Sequence, residues 1–139
     1  MCIRDRIYTL EFDGFNCEYP NIIPVSGNIY AIAYAGEYGD GWLKTVEIAT
    51  DGSIITMKDT LEFDTANGEY PNIIYVDGNI YAIAYEGAGG DGFLTTVEIA
   101  TTGQITDTVI YTLEFDDVLG MYPNIIHVSG EIYVIAYTR

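Results

Sequence analysis

The sequence predicts an all-β protein assembled from repeated four-stranded antiparallel units, and three observations carry that expectation. Tyr19-Pro20-Asn21-Ile22-Ile23 returns at residues 70–74 and again at 122–126, spaced by 51 and then 52 residues. Self-similarity at such a period marks stacked supersecondary units. Within each unit, apolar residues alternate with a period of two between Gly-bearing turns, as strands require. No stretch shows the 3.6-residue period of an amphipathic helix.

The repeat extends well beyond one motif. Gly27-Asn28-Ile29-Tyr30-Ala31-Ile32-Ala33-Tyr34 recurs unchanged at residues 78–85, and at 130–137 with Glu131 for Asn and Val134 for Ala. Residues 40–50 match 91–101, with Phe93 for Trp42 and Thr95 for Lys44. Leu10-Glu11-Phe12-Asp13 matches 61–64 and 113–116, and the one-residue change of period falls within 103–113.

Each element follows from local chemistry. The first strand is expected over 21–25, after a Pro that has no N–H to give a ladder and so suits a strand start. Ser26-Gly27, Asp77-Gly78 and Ser129-Gly130 read as two-residue hairpin turns. The second strand is expected over 28–34, followed by a Gly-rich loop through Gly41. The third runs over about 42–50 and turns at Asp51-Gly52. The fourth runs over about 53–64, and a short, mostly polar stretch leads to the next Tyr-Pro. By analogy, 7–13 is the fourth strand of a preceding unit, which makes eleven strands in all.

The second strand decides the architecture. Tyr30, Ile32 and Tyr34 lie on one face and Ile29, Ala31 and Ala33 on the other. A sandwich strand would be polar outside, whereas here both faces are apolar, one bulky and one small. Radial stacking satisfies this, with the bulky face of one sheet against the small face of the next. The more polar fourth strand, carrying Lys58, Asp59 and Glu62, suits an outer edge defended by charge. Four-stranded antiparallel meanders of this kind are β-propeller blades. The layout is then adaptor-derived residues at 1–6, the outer strand and loop of a preceding blade at 7–18, and blades at 19–69 and 70–121. The first two strands of a further blade occupy 122–139. This is an incomplete ring of about two and a half blades. An open blade face of roughly 440 Å² reaches the limit that monomers tolerate, so the chain is expected to be a fragment or to close its ring with other copies of itself.

Residues 1–6, Met-Cys-Ile-Arg-Asp-Arg, have no counterpart in the repeat. Back-translated, they resemble the mosaic-end adaptor of transposon-based sequencing libraries. We read them as non-native and the chain as a fragment from environmental DNA, so that the lack of a signal peptide carries no information.

The repeated segments resemble the roughly 50-residue blades of bacterial and archaeal secreted or surface β-propellers, over about residues 7–139. They depart from kelch and tryptophan-aspartate repeats and lack the Ser-x-Asp-x-Gly-x-x-Trp box of sialidase-type propellers. The resemblance implies a propeller fold and an extracellular or cell-surface setting.

Composition narrows the function. With 21 Asp+Glu against 5 Lys+Arg, the formal charge is −16, which argues against nucleic acid and anionic membranes. No apolar run approaches the ~20 residues that span a bilayer. Two cysteines and the lone His127 exclude a site built on several His or Cys.

The loops after the second and fourth strands are expected on one end, which gathers most of the acid. There, Asp40, Asp91 and Glu37 beside Trp42 and Phe93 form a candidate ligand site, with the aromatics stacking on sugar rings. The alternative is that the aromatics are rim packing between blades. Asp40, Asp91, Asp13 and Asp64 are candidate calcium ligands, since calcium takes carboxylate and carbonyl oxygens. The alternative reading assigns Asp-Gly to turn geometry. His127, aligned with Pro24 and Tyr75, reads as a packing variant. Recurring carboxylates point to a structural role or to one weak site presented several times. The leading expectation is a non-enzymatic recognition or scaffolding module that binds carbohydrate or cations. The alternatives are a fragment of a propeller-type glycosidase or lyase whose catalytic blade lies elsewhere, and a propeller self-assembled from short chains.

Overall fold

The computed structural model describes residues 8–139; the segment 1–6, expected to be adaptor-derived, and Ile7 lie outside the described residues. Strands take 62% of the described residues and 3-10 turns 5%, so the all-β expectation holds. The strands are β1 (Glu18–Ser26), β2 (Ile29–Ala35), β3 (Gly41–Ile48), β4 (Ile54–Asp64) and β5 (Glu69–Asp77). They continue with β6 (Ile80–Glu86), β7 (Gly92–Glu98), β8 (Tyr111–Asp116), β9 (Met121–Ser129) and β10 (Ile132–Thr138). β1–β4 form sheet I, β5–β8 sheet II and β9–β10 sheet III, each an antiparallel meander in chain order. No closed ring forms among the described residues.

Several details depart from the sequence expectation. Residues 8–13 are not a strand, because no third strand lies beside them among the described residues. β1, β5 and β9 start three residues before the expected Asn. The register slips between Glu18 and Asn21, so Tyr19 and Pro20 form a bulge that absorbs the proline's missing N–H. The bulge places Tyr19, Tyr70 and Tyr122 at φ of 53°, 51° and 52°. The hairpin turns sit one residue later than expected, on Gly27-Asn28 and its counterparts. Gly27, Gly78 and Gly130 lead them with φ of 54°, 56° and 55°, a conformation that costs glycine little.

β3 stops at Ile48, short of the expected Thr50, because the backbone of 49–53 closes a tight turn. Ala49 N–H donates to Ser53 O at 2.8 Å and Gly52 N–H to Ala49 O at 2.9 Å. The extra residue of the second repeat shortens β8 to 6 residues against 11 in β4. Of the outer half of that pairing an Ile99–Ile105 bridge remains, with Thr106 N–H donating to Glu98 O at 3.1 Å and Ile110 N–H to Thr96 O at 2.8 Å.

Sheets I and II meet face to face through one core. Ala31, Ala33, Leu43, Leu61 and Phe63 of sheet I share it with Ile73, Tyr81, Ile83, Tyr85 and Val97 of sheet II. The small face of one sheet therefore receives the bulky face of the next, as the alternation of the second strand demands. Exposure identifies which faces are covered. Ile73 is 1% exposed, whereas its counterpart Ile22, on the face of sheet I that Leu10, Phe12 and Cys17 cover only over Ile32, Tyr34 and Val46, is 52% exposed.

A repeated latch fixes each junction. Phe12, Phe63 and Phe115 set a ring against Tyr34, Tyr85 and Tyr137 at centroid distances of 5.3, 5.1 and 5.2 Å. The next residue, Asp13, Asp64 or Asp116, accepts the hydrogen bond of that tyrosine hydroxyl at 2.6, 2.9 and 2.9 Å. Asn21 and Asn72 add a second tie, their side-chain oxygens accepting from Ile73 N–H and Ile125 N–H of the following sheet at 3.1 and 3.0 Å. The Leu-Glu-Phe-Asp and Pro-Asn-Ile-Ile motifs are thus sheet-to-sheet connectors.

Candidate functional site

Two kinds of loop converge at one end of sheets I and II. The β2–β3 loop is a 3-10 turn closed by Gly36 N–H donating to Asp40 O at 2.7 Å. The β4–β5 connection docks on it through Gly68 N–H to Gly39 O at 2.7 Å, and Gly120 N–H to Gly90 O repeats this at 2.7 Å. Gly41 must lack a side chain there, since a Cβ would collide with the Phe63 ring.

The four aspartates read as calcium candidates divide into two pairs. Asp64 accepts from Ala66 N–H and Asn67 N–H on one oxygen and from Tyr85 on the other. Asp13 accepts from Phe15 N–H at 2.9 Å and from Tyr34, with the Lys44 ammonium 3.5 Å away. Partial burial pushes the Asp13 carboxyl up, but these hydrogen bonds and the lysine charge outweigh it and hold the group below its ordinary value. Asp40 and Asp91 belong to separate β2–β3 and β6–β7 loops. Among the described residues, no three His, Cys, Asp or Glu side chains gather as a metal site.

Around sheet I the loops leave a cleft of about 200 Å³ lined by Asp13, Phe15, Glu37, Tyr38, Asp40 and Trp42. Three of the five predicted ligand residues, Glu37, Asp40 and Trp42, meet here. Asp91 and Phe93 do not: Phe93 stacks on Tyr85 at 5.8 Å and joins the core between sheets I and II. Trp42 is half-buried, packed beside the Ile32–Tyr34–Val46 cluster, with its indole over Gly36. A wider cleft of about 720 Å³ shares Asp13, Phe15 and Trp42 and runs on past Lys44, Met57 and Thr60.

The sequence reasoning missed Phe15 and Tyr38, which are 82% and 87% exposed. Their signal was departure from the repeat, since their counterparts are Ala66 and Gly89. Tyr38 holds φ at 67° where Gly89 holds 80°, a left-handed conformation that costs a non-glycine residue roughly 1–2 kcal/mol. Its hydroxyl donates to Glu37, which pushes its pKa up. Among the described residues the aromatic cleft therefore occurs at one loop cluster, unlike the multiple weak sites that recurrence suggested.

The remaining single residues are structural. His127 Nε2 lies 2.8 Å from Gly130 O, with its ring 5.0 Å from that of Tyr133. Cys17 packs beside the Ile32–Tyr34–Val46 cluster, and burial and Asp13 push its thiol up. No helix among the described residues is long and apolar enough to cross a membrane. No protein family, curated protein or solved structure matches the chain.

Proposed function

We propose that the chain is a non-enzymatic recognition module of an extracellular or cell-surface protein, built from successive β-propeller blades, and that it binds carbohydrate in the Phe15–Tyr38–Trp42 cleft. One observation carries the reading. Two almost fully exposed aromatics and a half-buried tryptophan flank the carboxylates Asp13, Glu37 and Asp40, and one of the exposed pair is held in a strained backbone conformation. Tyr19, Tyr70 and Tyr122 owe their positive φ to the pairing bulge, whereas Tyr38 stands where the next repeat has glycine, which favours a functional origin for its ring. Aromatic faces take the apolar faces of a sugar ring, while carboxylates accept its hydroxyl protons.

The experiment is a panel of immobilised oligosaccharides probed with the chain and with Phe15→Ala and Tyr38→Gly. We expect saturable binding of one class of glycan, lost in both variants. Binding retained by both variants, or none across the panel, would contradict the proposal.

A further inference from the structure

Three tyrosines line up across the successive first strands. Tyr19, Tyr70 and Tyr122 open the Tyr-Pro-Asn-Ile-Ile motif of β1, β5 and β9. The bulge at each strand start sets all three at nearly the same left-handed φ, and their rings stack from one sheet to the next. Just beyond the first two, Asn21 Oδ1 accepts from Ile73 N–H at 3.1 Å, which fixes the spacing of β1 and β5. Neither Tyr19 nor Tyr70 belongs to the buried cores. Tyr19 is 43% exposed, and Tyr70, with a ring on each side, is still partly exposed.

The tyrosine pairs of the chain differ in geometry. Tyr19 and Tyr70 have ring centroids 3.9 Å apart and planes tilted by 33°. Tyr70 O–H donates to the Tyr19 hydroxyl oxygen at 3.1 Å. Ring centres and hydroxyls thus approach together, so the ring carbons ortho to each hydroxyl share the contact. Tyr70 and Tyr122 lie 4.3 Å apart but cross at 66°, edge to face. Tyr75 and Tyr81 lie 5.5 Å apart at 68°, and Tyr81 is buried. Of these three pairs, Tyr19–Tyr70 alone combines near-parallel rings, joined hydroxyls and access to solvent.

We propose that Tyr19 and Tyr70 are a site of oxidative cross-linking, joined ortho carbon to ortho carbon as dityrosine by a peroxidase acting with hydrogen peroxide, and that the link staples sheet I to sheet II. Each phenol gives up one electron and its hydroxyl proton, leaving a phenoxyl radical whose unpaired spin is shared with the ortho carbons. The two radicals form one C–C bond between those carbons. Each joined carbon then releases its hydrogen as a proton while the phenol oxygen takes one up, which restores both rings and both hydroxyls. In total two electrons and two protons leave the pair and reduce one hydrogen peroxide to two waters. Holding the partners in contact favours this coupling over chance encounters, even though Tyr38 and Tyr111 are 87% and 67% exposed. The bond closes the loop between residues 19 and 70 and so restricts the unfolded chain, as a disulfide does. The site rests on ring geometry and access, independently of carbohydrate binding.

The test treats the dilute chain with a haem peroxidase and hydrogen peroxide, then cleaves it after glutamate. Glu18 and Glu69 precede the two tyrosines, so cleavage releases peptides 19–37 and 70–86 with each tyrosine as first residue. We expect dityrosine fluorescence from a chain that stays monomeric, and these two peptides joined through their first residues with two hydrogens lost. The linked chain is expected to melt at least about 5 °C above Tyr19→Phe treated in the same way. Tyr19→Phe and Tyr70→Phe keep the stacked rings and are each expected to abolish the link, whereas Tyr122→Phe leaves it in place. Coupling chiefly between chains, coupling through Tyr38 or Tyr111, or equal coupling of Tyr70 to Tyr122 would overturn the proposal. A link that leaves the melting temperature unchanged would overturn the staple. None of those results bears on the oligosaccharide panel.

Discussion

Tyr38 and Gly89 occupy the same place in successive repeats and adopt the same left-handed backbone, but only one of them carries a ring. The tyrosine is 87% exposed, so no packing offsets its strain. Replacing it with glycine relieves strain in the folded chain while giving the unfolded chain more freedom. We expect Tyr38→Gly to leave stability unchanged or to raise it by up to about 1 kcal/mol, while removing glycan binding. Thermal unfolding in parallel with binding checks this, and a variant that loses both would assign the ring a structural role. This residue also shows where reading the sequence falls short. Attention to recurring positions favours connectors such as Asp13 and Asp64, because structure is what a repeat conserves between its own copies. Phe15 and Tyr38 stand out only when the copies are compared for their differences.

At the level of the strand, the repeat was legible because both faces of 28–34 are apolar and unequal in size, which admits few packings. The small face does as expected at the sheet I–II junction, where Ala31 and Ala33 are fully buried. The start of each first strand was not legible. Tyr-Pro reads locally as extended chain, and only pairing against the second strand reveals the bulge and the positive φ of Tyr19. Residues 8–13 are not a strand, yet Phe12 and Asp13 keep the ring contact and hydrogen bond to Tyr34 that their counterparts make. These interfaces make a differential prediction. Ala31→Leu forces bulk into the junction and is expected to cost about 1–3 kcal/mol. Val134→Leu, at the equivalent but 47% exposed position of sheet III, is expected to change stability by about 0.5 kcal/mol or less. Chemical denaturation of both variants tests this, and equal costs would contradict the sheet-to-sheet packing described.

Across the whole molecule, charge sets how stability depends on pH. Asp116, tied to Arg139, Tyr137 and two backbone N–H groups, is held well below its ordinary value, and Asp13 is also lowered. Groups lowered on folding stabilise fully above their unfolded value of about 3.9, and that contribution is lost as pH falls through the folded values. Glu86 behaves oppositely. Burial and the neighbouring Glu69 push it up, and its Oε2 has no hydrogen-bond partner. Its charge therefore destabilises the fold at neutral pH, and protonation relieves this as pH falls through the raised value. A formal charge of −16 adds self-repulsion that weakens in the same direction. The melting temperature is expected to rise from pH 7 toward about 5 and to fall below about 4. Glu86→Gln is expected to raise it at pH 7 and to flatten the rise. A melting temperature that falls steadily from pH 7 downward would contradict this account. The same acidity surrounds the proposed recognition end, where one measurement is the most direct. Trp42 is the only tryptophan in the chain and lines the cleft, so its emission reports on that place alone. Titration with the oligosaccharide selected by the panel is predicted to shift Trp42 emission saturably, with the shift abolished in Phe15→Ala. Binding that leaves Trp42 emission unchanged would place the ligand elsewhere and contradict the site.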